Sequence, residues 1–448
     1  MTPLGREPGR RSRGAPANQG EPGGGRPTEA WTLLLPCGLA QLGLLALLGW
    51  WPGAALPWPG IFLFLTAFGA YLLAASRVKD LRGGHLLIWV LAVAMRLLFL
   101  PLEPGLSDDV WRYLWDGHVQ LSGVNPYRFA PSAPELAELR TPWHHLINNP
   151  DVPTIYPPFA QLAFLAIALA GSTVVQAKLL FLGFDLATGW LLGRVAHLTG
   201  RSRRVTQLLY LWSPLLVVEV AWNAHLEPLG LFGLVLVVLL ARAPGGAGVA
   251  GALSALTKLA PAAAVPALTR RLGWRFLAGF AATVIVLYLP YAGAGSALFS
   301  GLGTYAEHWR FMEGPFTLVE AVLPGSLTPR WAAALLVLGV VAWTTVRRYR
   351  PERALFWILG AGMLLTPTLH PWYVLWMLPL AALRASRPWI LLSGLAFLGY
   401  FGLDAYRLTG SWPQPGWLRL LLWGPMLVLL AVDAARLWRR RPPPPRLP

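Results

Sequence analysis

The chain has little charge and almost no cysteine for its 448 residues. Charged residues make up 13% of it, against roughly 25% in soluble domains, while hydrophobic residues reach 55%. The single cysteine, Cys37, excludes an intramolecular disulfide and gives no information on the redox compartment. A chain with so few charges and a mean hydropathy of +0.51 is predicted to be an integral membrane protein.

Acidic residues are also scarce, 20 against 37 Lys and Arg, which gives a net charge of +17. Such an excess can indicate nucleic-acid binding, but here the basic residues stand in short clusters at the ends of apolar runs, as the positive-inside rule predicts. We therefore expect no nucleic-acid partner and assign these clusters to the cytoplasmic side. The clusters are Arg77/Lys79/Arg82, Arg201/Arg203/Arg204, Arg270/Arg271/Arg275, Arg347/Arg348/Arg350, Arg384/Arg387 and Arg439/Arg440/Arg441.

The two ends of the chain differ from its middle. Residues 1–30 contain five Arg among many Gly and Pro and lack the apolar content for a core, and residues 439–448 read RRRPPPPRLP. We predict two cytoplasmic tails, the first of them disordered. Residues 31–438 then form a single multi-span transmembrane domain, whose first span is retained because no clear small-residue cleavage site follows it.

Apolar segments recur through the middle of the chain and predict an all-α polytopic membrane protein with about 12–14 hydrophobic segments. With the N-terminus inside, residues 103–156 emerge outside as a long first loop, and the basic cluster at 347–350 places residues 293–328 outside as a second loop. The segments are 31–51, 56–76, 84–102, 157–171, 173–197, 204–222, 226–241, 247–268, 273–292, 330–346, 354–369, 372–384, 388–406 and 417–437.

Two of these segments conflict with the charge rule if each one crosses the membrane once. The segment 157–171 is short and opens with two prolines, so we predict that it lies in the outer interface or re-enters the membrane. The segment 247–268 contains Lys258 and Pro261, which predicts two broken half-helices. If neither segment crosses the membrane as a single span, residues 222–227 and His370 lie on the outer side, beside the first loop.

The first outer loop begins with a dense group of ionisable residues, in the run SDDVWRYLWD. On a helix that starts at Asp108, the side chains of Asp109, Arg112 and Asp116 are three and four residues apart and share one face. Ser107 and the two adjacent acids can also serve only to cap that helix, and Asp116 can simply pair with Arg112. We favour a catalytic or metal-linked role for the two acids and leave Asp116 open between a functional and a structural role.

Further polar side chains stand at the boundaries of spans, where ionisable groups usually mark a cavity or a functional site. His225 and Glu227, in NAHLE, can otherwise be the wetted end of a helix. Lys258, in LTKLAPAAAVP, needs an anion, for which phosphate is the natural partner, or must snorkel to the surface. His370, in HPWY, and Tyr156, in TIYPP, can serve the site or anchor the chain at the interface.

The order of these features resembles the glycosyltransferase C superfamily, multi-span enzymes that take a sugar from a polyprenyl-phosphate or dolichyl-phosphate donor. The resemblance runs over most of residues 31–440, and within the superfamily it is strongest to bacterial mannosyltransferase-like proteins that use polyprenyl-phosphate-mannose. The residues that carry it are Asp108-Asp109, Tyr156-Pro157-Pro158, Asn223-Ala224-His225-Leu226-Glu227, Lys258 with Pro261, and His370-Pro371-Trp372-Tyr373.

This resemblance implies that a carboxylate of the first loop is the functional acid. We assign this role to Asp109 first and to Asp108 second. The acids are adjacent and not spaced as Asp-x-Asp, and His144-His145 is poor spacing for metal ligands on a helix. The metal therefore stays unassigned and no cofactor is certain, although carboxylates favour hard divalent cations. The residues expected to bind the phosphate and sugar of the donor are Arg112, Lys258, His370, His225, Glu227, Asp116 and Tyr156.

The expected function is transfer of a hexose, with mannose implied by the resemblance, from a polyprenyl-phosphate sugar to an extracytoplasmic glycan, lipid or protein acceptor by inverting displacement. The expected location is the inner (plasma) membrane, with the active site on the periplasmic or extracellular face. A transporter or flippase of lipid-linked sugars is the alternative, because it too would place basic residues near a phosphate. A central polar path open to both sides would favour the transporter.

Overall fold

The computed structural model describes residues 31–51, 53, 57–79 and 83–439, and these fold into packed helices. Within these ranges there is no strand, and extended pairing is limited to a parallel bridge between Phe311 and Thr368. The predicted all-α polytopic fold is confirmed. The predicted tails at 1–30 and 440–448, and Arg82, lie outside the described residues.

The α-helices of the first half of the chain include the helix at the start of the first outer loop and the helix in segment 157–171, which was predicted to lie in the outer interface or to re-enter the membrane. They are α1 (Trp31–Trp50), α2 (Pro57–Arg77), α3 (His85–Leu97), α4 (Asp109–Leu121), α5 (Pro158–Leu169), α6 (Val174–Leu198), α7 (Arg203–Leu211), α8 (Pro214–Leu216), α9 (Glu227–Leu239) and α10 (Pro244–Ala255).

The α-helices of the second half surround the second outer loop. They are α11 (Val265–Leu272), α12 (Trp274–Tyr288), α13 (Ser300–His308), α14 (Phe316–Val322), α15 (Thr328–Val346), α16 (Pro351–Leu365), α17 (Leu378–Arg384), α18 (Arg387–Leu395), α19 (Leu403–Thr409) and α20 (Gly416–Arg439). A π turn follows α8 at Val217–Trp222, and 3-10 segments lie at Pro134–Leu139, His144–Leu146, Ala260–Ala264, Leu289–Phe299, Pro371–Trp376 and Ala396–Gly402.

Seven helices in the described ranges are long and apolar enough to cross a membrane, or eight with the pair Arg203–Leu211 and Pro214–Trp222, which is bent by 46°. The other predicted hydrophobic segments are short or broken helices. The segment 247–268 is broken as predicted, because α10 ends at Ala255 and α11 begins only at Val265, with Lys258 between them.

The short helix α5 packs against α4 of the first loop and does not extend far enough to span a bilayer. Its 12 residues cover roughly 18 Å at the helical rise, against about 30 Å of hydrocarbon. A Cβ atom at Gly117 of α4 would lie 2.2 Å from the carbonyl oxygen of Phe164 in α5, so only glycine permits this approach. The prediction that residues 157–171 do not cross the membrane agrees with this geometry.

Two basic residues of the Arg201 cluster contact neighbouring segments at the C-terminal end of α6. Arg204 donates to the Gly83 carbonyl at 3.1 Å, and Arg201 donates to the Leu383 carbonyl. At the other end of α6, Lys178 donates to the carbonyls of the turn that leads into the first loop, including Phe99 at 2.8 Å. The turn into the first loop and the Arg201 cluster therefore lie at opposite ends of a 25-residue helix.

Candidate active site

A cavity of about 730 Å³ lies between the two loops that were predicted to lie on the outer side. Its walls come from the first loop, the break between α10 and α11, the second loop and the segment around His370. The charged and polar residues that line it include Ser107, Asp108, Asp109, Arg112, Asn148, Tyr156, Lys258, Tyr305, Arg310, His370 and Tyr373. The fold thus gathers in one space side chains that are far apart in the chain.

The two acids of the first loop stand at the start of α4. The Ser107 hydroxyl accepts a hydrogen bond from the Asp109 amide at 3.3 Å, whereas the N-cap of α4 is Asp108, whose side chain makes no capping hydrogen bond. The side-chain amide of Asn148 donates to Oδ1 of both Asp108 and Asp109, at 2.7 Å each. One amide therefore ties the carboxylates together and leaves Oδ2 of Asp109 for other contacts.

Of the two acids at the start of α4, Asp109 has the larger change in proton affinity. Burial, followed by the charge of Asp108, raises the pKa of Asp109 to about 6, against the opposing effects of Lys258 and Asn148. Burial also raises the pKa of Asp108. A general base works best when its pKa lies near the operating pH, so the environment of Asp109 suits proton abstraction.

Asp116 lies behind the cavity wall and holds the end of the first loop. It accepts hydrogen bonds from Arg112 Nε at 3.0 Å, the Thr154 hydroxyl at 2.5 Å and the Gln161 amide at 2.9 Å. Arg112 lines the cavity and also donates to the Val152 carbonyl at 2.9 Å. These contacts correspond to the structural alternative considered for Asp116, an ordinary pair with Arg112.

Lys258 enters the cavity from the broken segment. Its Nζ pairs with Glu227, whose side chain is fully buried, and lies 4.8 Å from the centre of the Tyr373 ring. The hydroxyls of Tyr373 and Tyr305 are 2.6 Å apart, which connects this group to the second loop. The Lys258 side chain is 19% exposed and lines the cavity.

A stack of four rings runs from the second loop toward Asp109. Ring centroids are separated by 4.5 Å from Phe311 to His370, 4.6 Å from His370 to Trp372 and 4.1 Å from Trp372 to His225. His225 Nδ1 lies 3.7 Å from Asp109 Oδ2. Burial and the charge of Lys258 lower the pKa of His370 to about 3 and also lower the pKa of His225, so both imidazoles are neutral near pH 7.

The second loop is held by ion pairs on the far side of the cavity. Arg310 pairs with Glu313 at 2.5 Å and with both oxygens of Glu320 at 2.7 Å. Arg419 of α20 pairs with Glu313 at 2.9 Å. Since two carboxylates offset the charge of Arg310, Lys258 is the better placed of these two cavity cations to meet a phosphate.

Six of the nine predicted site residues line the cavity, and Asp116, His225 and Glu227 are buried behind its wall. Asn148 and Glu219 were not predicted. Asn148 carried no signal beyond lying in the polar first loop. Glu219 did carry a signal in the sequence, because a carboxylate inside an apolar segment is costly in lipid and usually has a function.

No group of three or more His, Cys, Asp or Glu side chains in the described ranges is arranged to hold a metal ion. His144 bonds to the Pro131 carbonyl and His145 to the Pro142 carbonyl, at 3.0 Å each. Neither histidine lines the cavity. We therefore assign no metal to these residues.

Comparison with protein families gives two matches. Residues 40–274, more than half of the chain, match the family described as alpha-(1->6)-mannopyranosyltransferase, N-terminal domain. Residues 320–399 match the family described as MptB C-terminal domain. The first match contains Asp108, Asp109 and Lys258, and the second contains His370. No curated protein and no solved structure matches the chain.

Proposed function

Because the chain belongs to the alpha-(1->6)-mannopyranosyltransferase family, we propose that it transfers mannose from polyprenyl-phosphate-mannose to a glycan, lipid or protein acceptor outside the cytoplasm. The observation that carries this proposal is the shared cavity, where two carboxylates, a lysine and apolar faces of membrane helices surround about 730 Å³. A donor built from a sugar, a phosphate and an isoprenoid chain needs a polar centre beside an apolar wall.

The apolar wall belongs to helices that reach the lipid. Val337 of α15 and Leu359 and Met363 of α16 line the cavity. The neighbouring Leu335 and Leu336 of α15 are 67% and 54% exposed, which is typical of a helix face in contact with lipid. An isoprenoid chain can therefore leave the cavity between α15 and α16 while its phosphate stays near Lys258.

The transfer is a single inverting displacement at the anomeric carbon. Asp109 removes the proton from an acceptor hydroxyl, and the hydroxyl oxygen forms the new bond to that carbon. The bond from the same carbon to the phosphate oxygen breaks, and polyprenyl phosphate leaves with the electron pair. Lys258 stabilises the charge that develops on this phosphate, an effect that is larger in a site with little water than in bulk water.

The distribution of charge supports a plasma-membrane protein whose cavity opens away from the cytoplasm. The basic clusters around Arg201, Arg204 and Arg384 share one end of the bundle, and the cavity lies toward the other end. Basic clusters prefer the cytoplasmic side, so the acceptor is met on the periplasmic or extracellular face.

The test is a transfer assay with the full-length protein purified and reconstituted in lipid vesicles. Polyprenyl-phosphate-mannose is compared with other polyprenyl-phosphate sugars and with a nucleotide sugar, using a mannan oligosaccharide, a lipid and a peptide as acceptors, with and without chelator. We expect release of polyprenyl phosphate and a mannosylated product only with polyprenyl-phosphate-mannose. A protein that moves the lipid-linked sugar across the vesicle membrane without breaking its sugar–phosphate bond would establish the transporter alternative.

The matched pair of variants is Asp109→Asn and Asp151→Asn. Both replace a carboxylate of the first loop by its amide, but Asp151 bonds to Ser132 and does not line the cavity. We expect Asp109→Asn to abolish transfer and Asp151→Asn to keep it. Full activity of Asp109→Asn in folded protein would remove the base from this proposal.

The orientation is tested separately by labelling cysteines from one side of the membrane. In a Cys37→Ala background, Glu138→Cys adds an exposed thiol in the first loop and Arg347→Cys adds one at the basic end. A membrane-impermeant maleimide applied to intact cells should label the first variant and spare the second. The reverse pattern would place the cavity on the cytoplasmic face.

A further inference from the structure

Three arginines from different parts of the chain come together beside the C-terminal end of α6. Arg201, in the turn after α6, donates to the carbonyl of Leu383, which precedes Arg384 at the end of α17. The guanidinium carbon of Arg384 lies 4.6 Å from the centre of the Phe356 ring, and Phe356 is three residues after Arg353 on α16. We call Arg201, Arg353 and Arg384 the basic patch.

The three charges of the basic patch act on one another. Burial, followed by the charges of Arg201 and Arg353, lowers the pKa of Arg384, and the charge of Glu352 opposes this effect. Neighbouring like charges disfavour the charged form of a group, but an arginine does not lose its proton in a protein. The repulsion within the basic patch is therefore relieved by an anion and not by deprotonation.

Arginines elsewhere in this chain have carboxylate partners. Arg96 pairs with Asp185 at 2.6 Å, and Arg387, only three residues after Arg384, pairs with Asp433. Among the residues that the structure describes, no carboxylate forms an ion pair with an arginine of the basic patch. The protein itself thus leaves this group of charges without a counter-ion.

The turn between α15 and α16 adds positive charge beside the basic patch. Arg347, Arg348 and Arg350 are exposed in this turn, which contains no acidic residue. The guanidinium carbon of Arg353 lies 4.2 Å from the centre of the Tyr349 ring, so the turn is in contact with the patch. An anion that approaches this surface meets basic side chains from several segments of the chain.

Exposed apolar side chains border the same surface. The Trp343 ring lies 5.2 Å from the Tyr349 ring and 5.6 Å from the Trp357 ring, between centroids. Trp343 and Trp357 are 39% and 38% exposed, and Val346, the last residue of α15, is 79% exposed. Tryptophan and tyrosine are enriched where the hydrocarbon of a membrane meets its head groups. The basic patch therefore lies at the level of the head groups, with an apolar surface next to it.

We propose that the basic patch binds the head group of an anionic phospholipid. The planar guanidinium groups of Arg353 and Arg384 donate to the phosphate oxygens, and the acyl chains pass along Trp343 and Trp357 into the hydrocarbon. Basic pockets between membrane helices bind anionic head groups in this way. A soluble anion would match the charge but not the apolar surface. No arginine of the patch lines the cavity, so this site is separate from the proposed transfer and its test needs no substrate.

The test is a lipid titration of the purified full-length protein followed by native mass spectrometry. Phosphatidylglycerol is compared with phosphatidylcholine of the same acyl chains, and we expect the wild type to prefer phosphatidylglycerol. An arginine beside an anionic lipid surface contributes about fivefold to affinity. Arg353→Gln should therefore bind phosphatidylglycerol about fivefold more weakly, and Arg353→Gln/Arg384→Gln about 25-fold more weakly. A wild type that binds the two lipids equally would overturn the proposal.

The matched control is Arg270→Gln/Arg271→Gln, which removes two exposed arginines at the end of α11. Its affinity for phosphatidylglycerol should stay within about twofold of the wild type, because distant charges are screened. An equal loss in both double variants would show a general attraction to anionic surfaces and no site. Inorganic phosphate at the lipid concentration should not displace the lipid, and equal competition would identify a soluble anion. Because the Arg353 side chain is exposed, Arg353→Gln alone decides the matter if the double variant does not fold.

Discussion

Replacing Lys258 by methionine should separate two effects that the lysine has in this structure. The lysine pairs with Glu227, whose side chain is fully buried and whose second oxygen, Oε2, has no hydrogen-bond partner. Lys258→Met keeps the length of the side chain but leaves that carboxylate without its counter-charge. Removing one partner of a buried pair costs about 3–5 kcal/mol, and the partial exposure of Lys258 reduces this to about 3 kcal/mol.

The same change should also slow transfer. If the ammonium stabilises the departing phosphate, its loss resembles the removal of one oxyanion donor, which lowers kcat by roughly 10²–10³. Instability alone can imitate this result, because less folded protein gives less product. The single variant therefore cannot assign the rate effect to the phosphate.

The double variant Lys258→Met/Glu227→Gln resolves the two effects. A neutral pair of similar volume avoids the unpaired buried charge, so stability should return to within about 1 kcal/mol of the wild type. The rate should stay low, because no cation faces the phosphate. Thermal unfolding in detergent measures the first quantity, and initial rates at matched amounts of folded protein measure the second. Recovery of the rate together with stability would refute a phosphate role for Lys258.

Three further predictions follow from individual contacts. Because Asp109 has a raised pKa of about 6 and must be deprotonated to act as the base, wild-type kcat/KM should fall as the pH drops through about 6, and a limb near pH 4 would contradict this. Asp116→Asn removes the charged partner of Arg112 and should lower the free energy of unfolding by about 2–3 kcal/mol. The unfolding temperature should fall and protease cleavage in the first loop should increase. Unchanged cleavage would contradict the anchoring role. A Cβ at Gly230 would lie 2.1 Å from the Trp376 ring, so Gly230→Ala should destabilise the protein by about 1–3 kcal/mol, and a wild-type melting temperature would show that the ring moves freely.

The broad architecture could be predicted because membrane solvation acts on long stretches of sequence. Apolar length predicts spans, and basic clusters predict which ends of the spans share a face. Candidate residues such as Asp109, Lys258 and His370 stand out for a related reason, since ionisable groups beside lipid are costly without a use. All three line the same cavity.

The buried contacts behind the cavity could not be predicted in the same way. The placement of His225 between Asp109 and Glu219 depends on a π turn and on the positive φ of Ala224, and neither has a pattern in a sequence rich in apolar residues. The bond from Tyr400 to Glu219 joins residues 181 positions apart. Such pairs follow from helix packing, which single-sequence periodicity does not specify.

The two segments that broke the charge rule are also the segments that build the site. Pro157, which immediately precedes the short helix α5, and Lys258, in the break between α10 and α11, both line the cavity. This coincidence has a physical cause, because backbone that is not helical leaves polar groups unpaired and is tolerated at membrane depth only where protein or a polar cavity satisfies them. In a polytopic chain, a segment that is too short or interrupted to cross the membrane is therefore a signal for the site, independent of any motif it contains.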